Sequence, residues 1–205
     1  TAMTTGTQNT LIGGLAGDAL TTGHNNVAMG YGALGTEDTG GQNVAIGVNA
    51  LSTLNYAGNG NNTAVGYAAG AAVSTGTYNT LIGGLAGDAL TTGNYNVAVG
   101  ASSLSTTLVA SGNTAIGYGS LSVNVHGHKN TAVGMNTLGA MAPVSSSDSH
   151  NTAIGYSSQV SATTGEYNTS LGSLSMGTGV TTGGYNVALG SEAGKALTSG
   201  SLNTL

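Results

Sequence analysis

Apolar and polar residues in this chain follow a fixed order that keeps returning. The unit reads Asn, then Thr or Val, then usually Ala, then an aliphatic residue, then Gly. Its Asn falls at Asn9, Asn26, Asn43, Asn62, Asn79, Asn96, Asn113, Asn130, Asn151, Asn168, Asn186 and Asn203, at spacings of 17, 17, 19, 17, 17, 17, 17, 21, 17, 18 and 17. Counting from each Asn, position +3 holds Ile12, Met29, Ile46, Val65, Ile82, Val99, Ile116, Val133, Ile154, Leu171 and Leu189. Position +4 is always Gly: Gly13, Gly30, Gly47, Gly66, Gly83, Gly100, Gly117, Gly134, Gly155, Gly172 and Gly190. Residues 9–23 and 79–93 are identical letter for letter, four repeats apart. A segment that can be duplicated verbatim is one that is stacked, not one that forms a single site.

The period selects an architecture. Seventeen residues are too few for two packed helices but suffice for two short strands and two turns. The reading is all-β: a parallel β-solenoid, one array over residues 1–205 with about eleven coils, each starting at one of the Asn residues. In Asn-Thr-Ala-Ile-Gly, positions +1 and +3 share one face and +2 the other. The +2 face is small, with Ala28, Ala45, Ala64, Ala98, Ala115, Ala132, Ala153, Ala188 and Ser170, and Leu11 and Leu81 as exceptions; another backbone is expected to pack close to it. The +3 aliphatics are expected to form a continuous apolar stripe. Gly at +4 fits a sharp turn that needs positive φ. Asn fits a turn as well, and a stacked amide ladder.

The second half of the repeat comes in two versions. One carries Leu at +8 (Leu34, Leu51, Leu104, Leu121, Leu138); the other reads Ala-Gly-x-Ala-Leu/Val, at 16–20, 69–73, 86–90 and 193–197. A coil of two short strands encloses little, and the chain has no Phe or Trp to fill it. Association is the usual remedy for a thin core. Several chains side by side are therefore expected, with the +3 stripe facing a shared axis.

Composition narrows the function. Charged residues are 4% of the chain, against about a quarter in ordinary soluble domains. There is no Arg, and Lys129 and Lys195 are the two Lys, which removes the cationic contacts that nucleic-acid binding requires. Cysteine is absent, so disulfides and thiolate chemistry drop out. No apolar run reaches the roughly 18 residues of a membrane span. The chain opens in a turn and stops inside a twelfth motif, as a segment of a longer array would.

"GNTAIGYGSLS" (112–122), "NTAVGYAAG" (62–70) and "NTAIGYSS" (151–158) resemble the head repeats of trimeric autotransporter adhesins and the related repeats of bacteriophage tail fibres. The resemblance spans essentially the whole chain. It implies a homotrimer of left-handed parallel β-rolls, extracellular or on a virion, presenting an adhesive surface. The 17-residue period, longer than in adhesin heads, and the Ala-Gly-x-Ala-Leu variant lean toward the phage type. The family supplies the structural Asn, aliphatic and Gly columns and no catalytic residue.

Candidate chemistry is sparse. His126 and His128 form a His-x-His pair that could hold a metal on a trimer axis, but they sit in a polar turn, so no metal and no cofactor are expected. Asp18, Asp38, Asp88 and Asp148 lack calcium-loop spacing; turn capping fits them better. Glu37–Asp38 is an adjacent pair with no basic partner nearby, so no enzyme is expected. Tyr78 and Tyr95 precede the Asn of consecutive repeats, as do Tyr167 and Tyr185, so the rings of each pair can stack or face sugar rings. Tyr56 and Pro143 lie in the two longest coils, where a contact surface for a host glycan or protein receptor is expected. The leading reading is a phage tail-fibre shaft or head. A bacterial adhesin head is the first alternative. An ice-binding solenoid is the second, from the recurrent pairs Thr21–Thr22, Thr91–Thr92, Thr163–Thr164 and Thr181–Thr182. Eleven coils at ~4.8 Å would give a rod on the order of 50 Å long, expected to resist heat and protease with little pH dependence.

Overall fold

The structure, a computed structural model, describes residues 3–141 and 147–205. The chain winds into an all-β parallel solenoid with about 17 residues per coil. Its strands are β1 (Thr10–Ile12), β2 (Val27–Met29), β3 (Val44–Ile46), β4 (Thr63–Val65), β5 (Thr80–Ile82), β6 (Val97–Val99), β7 (Thr114–Ile116), β8 (Gly127–His128), β9 (Thr131–Val133), β10 (Ser147–Asp148), β11 (Thr152–Ile154), β12 (Thr169–Leu171) and β13 (Val187–Leu189). All but β8 and β10, which pair with each other, lie in one eleven-stranded sheet. Pairing keeps the repeat in register: Thr10 faces Val27, Leu11 faces Ala28 and Ile12 faces Met29, and so on up the rod.

The second strand expected in each coil is absent from the main sheet. Positions +6 and +8 are instead left-handed, as at Asn49 (φ 56°) and Leu51 (φ 48°) or Leu85 (φ 59°) and Gly87 (φ 58°). The chain therefore doubles back in turns. Backbone bonds still climb from coil to coil, for example Leu51 N–H to Ala69 O at 3.0 Å and Gly70 N–H to Ala86 O at 2.9 Å.

A single coil also encloses more than its sequence implies. The +2 alanines point inward and are fully buried with Leu34, Leu51, Leu104, Leu121 and Leu138. Folding the second half back over the strand brings its leucines onto the small +2 face. That half is the backbone expected to pack there. The +3 residues point outward.

The two versions of the second half are a volume exchange. Where +2 is Leu, +8 is Gly: a Cβ on Gly17 would lie 2.8 Å from Leu11, one on Gly87 2.8 Å from Leu81, and one on Gly70, in the preceding coil, 2.7 Å from Leu81. A polar exchange occurs higher up. Ser170 replaces Ala, Gln159 replaces Leu, and Gln159 Nε2 donates to Ser170 Oγ at 2.8 Å. Leu81→Ala alone should cost about 2–5 kcal/mol as a cavity, and Gly87→Leu alone about 1–3 kcal/mol from overpacking. The double variant reproduces the Ala45, Leu51, Leu54 set of the third coil, all fully buried. It should be more stable than either single variant in denaturant unfolding. Additive losses would show that the two positions do not share one space.

The Asn column is the second structural spine, and its role differs from a turn residue. The left-handed residue is the one before it: Asn25, Tyr78, Tyr95, Lys129, Tyr167 and Tyr185 have φ of 58°, 57°, 58°, 57°, 57° and 59°. The Asn itself is buried and bonds in two directions. Asn96 Nδ2 donates to Ala110 O at 2.9 Å, closing its own coil. Asn96 Oδ1 accepts the N–H of Asn113 at 3.0 Å and its Nδ2 at 3.3 Å, joining the next coil. The inserted residues of the long coils do not interrupt this: Asn62 N–H still reaches Asn43 Oδ1 at 3.2 Å, and Asn151 N–H reaches Asn130 Oδ1 at 3.1 Å.

Candidate functional surfaces

Two surfaces emerge from this winding. The first is the outer face of the eleven-stranded sheet. Position +1 brings Thr or Val to it and position +3 an aliphatic row. Position +5, just past the Gly turn, adds Tyr31, Val48, Tyr67, Tyr118, Met135 and Tyr156, all exposed. The result is one long apolar face along the rod. Parallel sheets are ordinarily covered on both faces; in the single chain this one is covered only by its own Ala and Leu layer.

The second surface is the ladder one residue before the Asn. Identical left-handed backbone at each rung sends its side chains out in the same direction. Tyr78 stacks on Tyr95 with centroids 5.1 Å apart and planes within 12°. Tyr167 stacks on Tyr185 at 4.8 Å and 3°, and His150 covers the other side of Tyr167 at 5.0 Å and 16°. These four tyrosines are between 41% and 65% exposed. Sequence reasoning missed His150, although it occupies the same place before Asn151 that the tyrosines occupy before theirs. Gly112 leaves the rung above Tyr95 without a side chain.

Charge is local to one stretch of this ladder. Lys129 Nζ donates to Asp148 Oδ2 at 2.6 Å, and His150 Nε2 lies 3.8 Å from the same oxygen. The Lys129 hydrogen bond holds the Asp148 carboxyl below its ordinary range, with the charges of Lys129, His150 and His128 adding to the effect. His128 Nδ1 accepts the N–H of Ser111 at 3.0 Å. Among the described residues no three His, Asp or Glu side chains come together as a metal site would require. Tyr56 donates its backbone N–H to Glu37 Oε2 at 3.2 Å, and its ring lies over Gly58. Pro143 lies outside the described residues.

Glu37 is a buried carboxyl at a position where Leu20, Leu54, Val73 and Leu90 stand in neighbouring coils. Its Oε1 accepts Gly40 N–H at 2.8 Å. Burial pushes its pKa above the ordinary value, and the backbone N–H bonds oppose this without cancelling it. The folded state then holds the proton more tightly than the unfolded chain. Stability should rise as pH falls through the folded pKa toward the ordinary carboxyl value, and be lost again as pH rises. Thermal melts from neutral to mildly acidic pH should show this rise in the wild type and a smaller one in Glu37→Gln, where only the contribution of Asp88, also raised by burial, remains. Burial likewise raises Asp88, which bonds the N–H of Ala89 while its Oδ1 stays buried without a partner.

Among the described residues no helix is long and apolar enough to cross a membrane. Compared with known proteins, the chain matches no family model, no curated protein and no solved structure.

Proposed function

We propose that this protein is a structural fibre segment, the shaft or head of a phage tail fibre that contributes to host-surface attachment. It would act as a homotrimer of left-handed β-rolls, outside the cell and on a virion. The observation that carries this reading is the uncovered outer face of the parallel sheet, with its apolar rows at +3 and +5. A long exposed apolar surface marks an association site, and closed symmetry would bury the same rows on every copy. The number three comes from the resemblance of the repeats to fibre and adhesin heads. Near-identical coils also suit a spacer, because adding one lengthens the rod without disturbing another. A host glycan or protein receptor would meet the surfaces left outside the trimer. The bacterial adhesin head shares every one of these features.

Native mass by sedimentation equilibrium tests the assembly. Three chains per particle is the expected result, and Ile116→Glu, on the outer face, should lower the mass while leaving the coil folded. A folded wild-type monomer would overturn the reading. One observation favours ice binding in that event: Thr10, Thr63, Thr80, Thr114, Thr131, Thr152 and Thr169 stand in the +1 row of the sheet. A thermal-hysteresis assay would then decide, and no effect would end that alternative.

A further inference from the structure

We propose that Tyr78–Tyr95 and Tyr167–Tyr185 are oxidative cross-linking sites, where a peroxide acting through a haem peroxidase joins successive coils by dityrosine bonds. In-register stacking puts the residue before each Asn directly above its counterpart one coil earlier, at the spacing of neighbouring strands, about 4.8 Å. All four tyrosines have the same left-handed backbone, with φ of 57°, 58°, 57° and 59°. Their rings are therefore delivered in parallel, with centroids 5.1 Å apart in one pair and 4.8 Å in the other. All four are reachable from solvent. His150 occupies the other side of Tyr167, which leaves Tyr185 as its one tyrosine neighbour on the ladder.

The chemistry needs this geometry. Each phenol loses one electron and its hydroxyl proton, giving a phenoxyl radical with spin on the ortho carbons. Two such radicals couple through those carbons. Each ring then passes its ortho hydrogen back to oxygen and is a phenol again. In net terms two C–H bonds break and one C–C bond forms. The two electrons and two protons released reduce hydrogen peroxide to two waters. For free chains the coupling is bimolecular. Here the partners are held within a ring's width, so the encounter is already made.

The same chain contains its own controls. Tyr31, Tyr67, Tyr118 and Tyr156 are equally exposed at +5, but the neighbouring coils carry Gly14, Val48, Gly84, Ala101, Met135 or Ser173 there. None of them has a tyrosine one coil away in its row. A ladder cross-link would add a covalent tie between two coils that are otherwise covalently connected through 17 or 18 residues of chain, and so resist the fraying of either one.

The experiment treats the intact protein with a haem peroxidase and hydrogen peroxide. Dityrosine fluorescence is followed, and the single-chain band from a denaturing gel is digested for mass spectrometry. The expected products are two linked peptides, Tyr78–Tyr95 and Tyr167–Tyr185, each lighter by two hydrogens than its parts. Tyr95→Phe should delete the first and keep the second; Tyr185→Phe should do the reverse. Oxidation in denaturant should scatter the links over other tyrosines. The proposal is overturned if the folded protein shows that same scatter, or if it forms no linked ladder peptide while free tyrosine in the same tube is dimerised.

Discussion

Asn96→Ala is expected to melt the middle of the rod. Asn96 is fully buried, and its amide serves two coils at once. Removing it leaves Asn113 N–H without its acceptor at 3.0 Å and Ala110 O without its donor at 2.9 Å. Both residues are fully buried, so water cannot replace either bond. A buried orphan costs roughly 1–3 kcal/mol, so the pair should cost roughly 2–6 kcal/mol before the small cavity is counted. A solenoid is nearly one-dimensional, and its stability is a sum of coil and interface terms. The loss should therefore appear first as lost amide-exchange protection in the coils around residues 79–130. Protection unchanged there would refute the ladder as a stabilising element. Asn96→Asp is a sharper test. Nδ2 lies 3.1 Å from Asn79 Oδ1 and 2.9 Å from Ala110 O, so a carboxylate oxygen in its place would face two acceptors. The proton that relieves this raises the folded pKa. Asn96→Asp should thus be strongly destabilised at neutral pH and recover part of the loss on acidification.

Gly117→Ala should cost as much, for a different reason. Gly117 has φ of +127°, and a Cβ there would sit 2.6 Å from Gly134 O and 2.7 Å from Gly134 C. The obstacle is backbone of the next coil, which is itself pinned by the coil beyond. Strain in that region of φ costs roughly 1–3 kcal/mol, and forced overpacking roughly another 1–3 kcal/mol. Gly112→Asn is the contrasting case. Its φ is +70°, a region Asn tolerates, and the nearest atom to an added Cβ is Lys129 Cγ at 3.5 Å. Other coils carry Asn, Gln or Tyr at that place, so its effect should stay within about 0.5 kcal/mol. Equal losses from the two substitutions, measured by denaturant unfolding, would show that the +4 glycines are not special.

Much of this molecule was legible before any coordinates. The period, the coil length, the parallel stacking and the sharp turn at +4 follow from residues that recur without exception, because stacking repeats the same steric demand in every coil. The +3 row was correctly separated from the +2 row by simple alternation. Three things were decided only by closure of the coil. The second half became a left-handed turn segment, although Leu at +8 reads as a strand residue; its side chain has to reach back over the alanines. The coil acquired its own buried core, because small +2 residues let that second half approach. The Asn amide was read both as a turn former and as a rung of a stacked ladder; which backbone groups it holds was set by winding, since they lie 14 and 17 residues away and no short window contains them. The Leu81–Gly87 and Ser170–Gln159 exchanges are of the same kind: each looks like an irregularity in the repeat until winding places its compensating residue opposite. A sequence repeat states what every coil shares. Which side of each coil is inside is set by where the chain meets itself again, and that is a property of the wound structure alone.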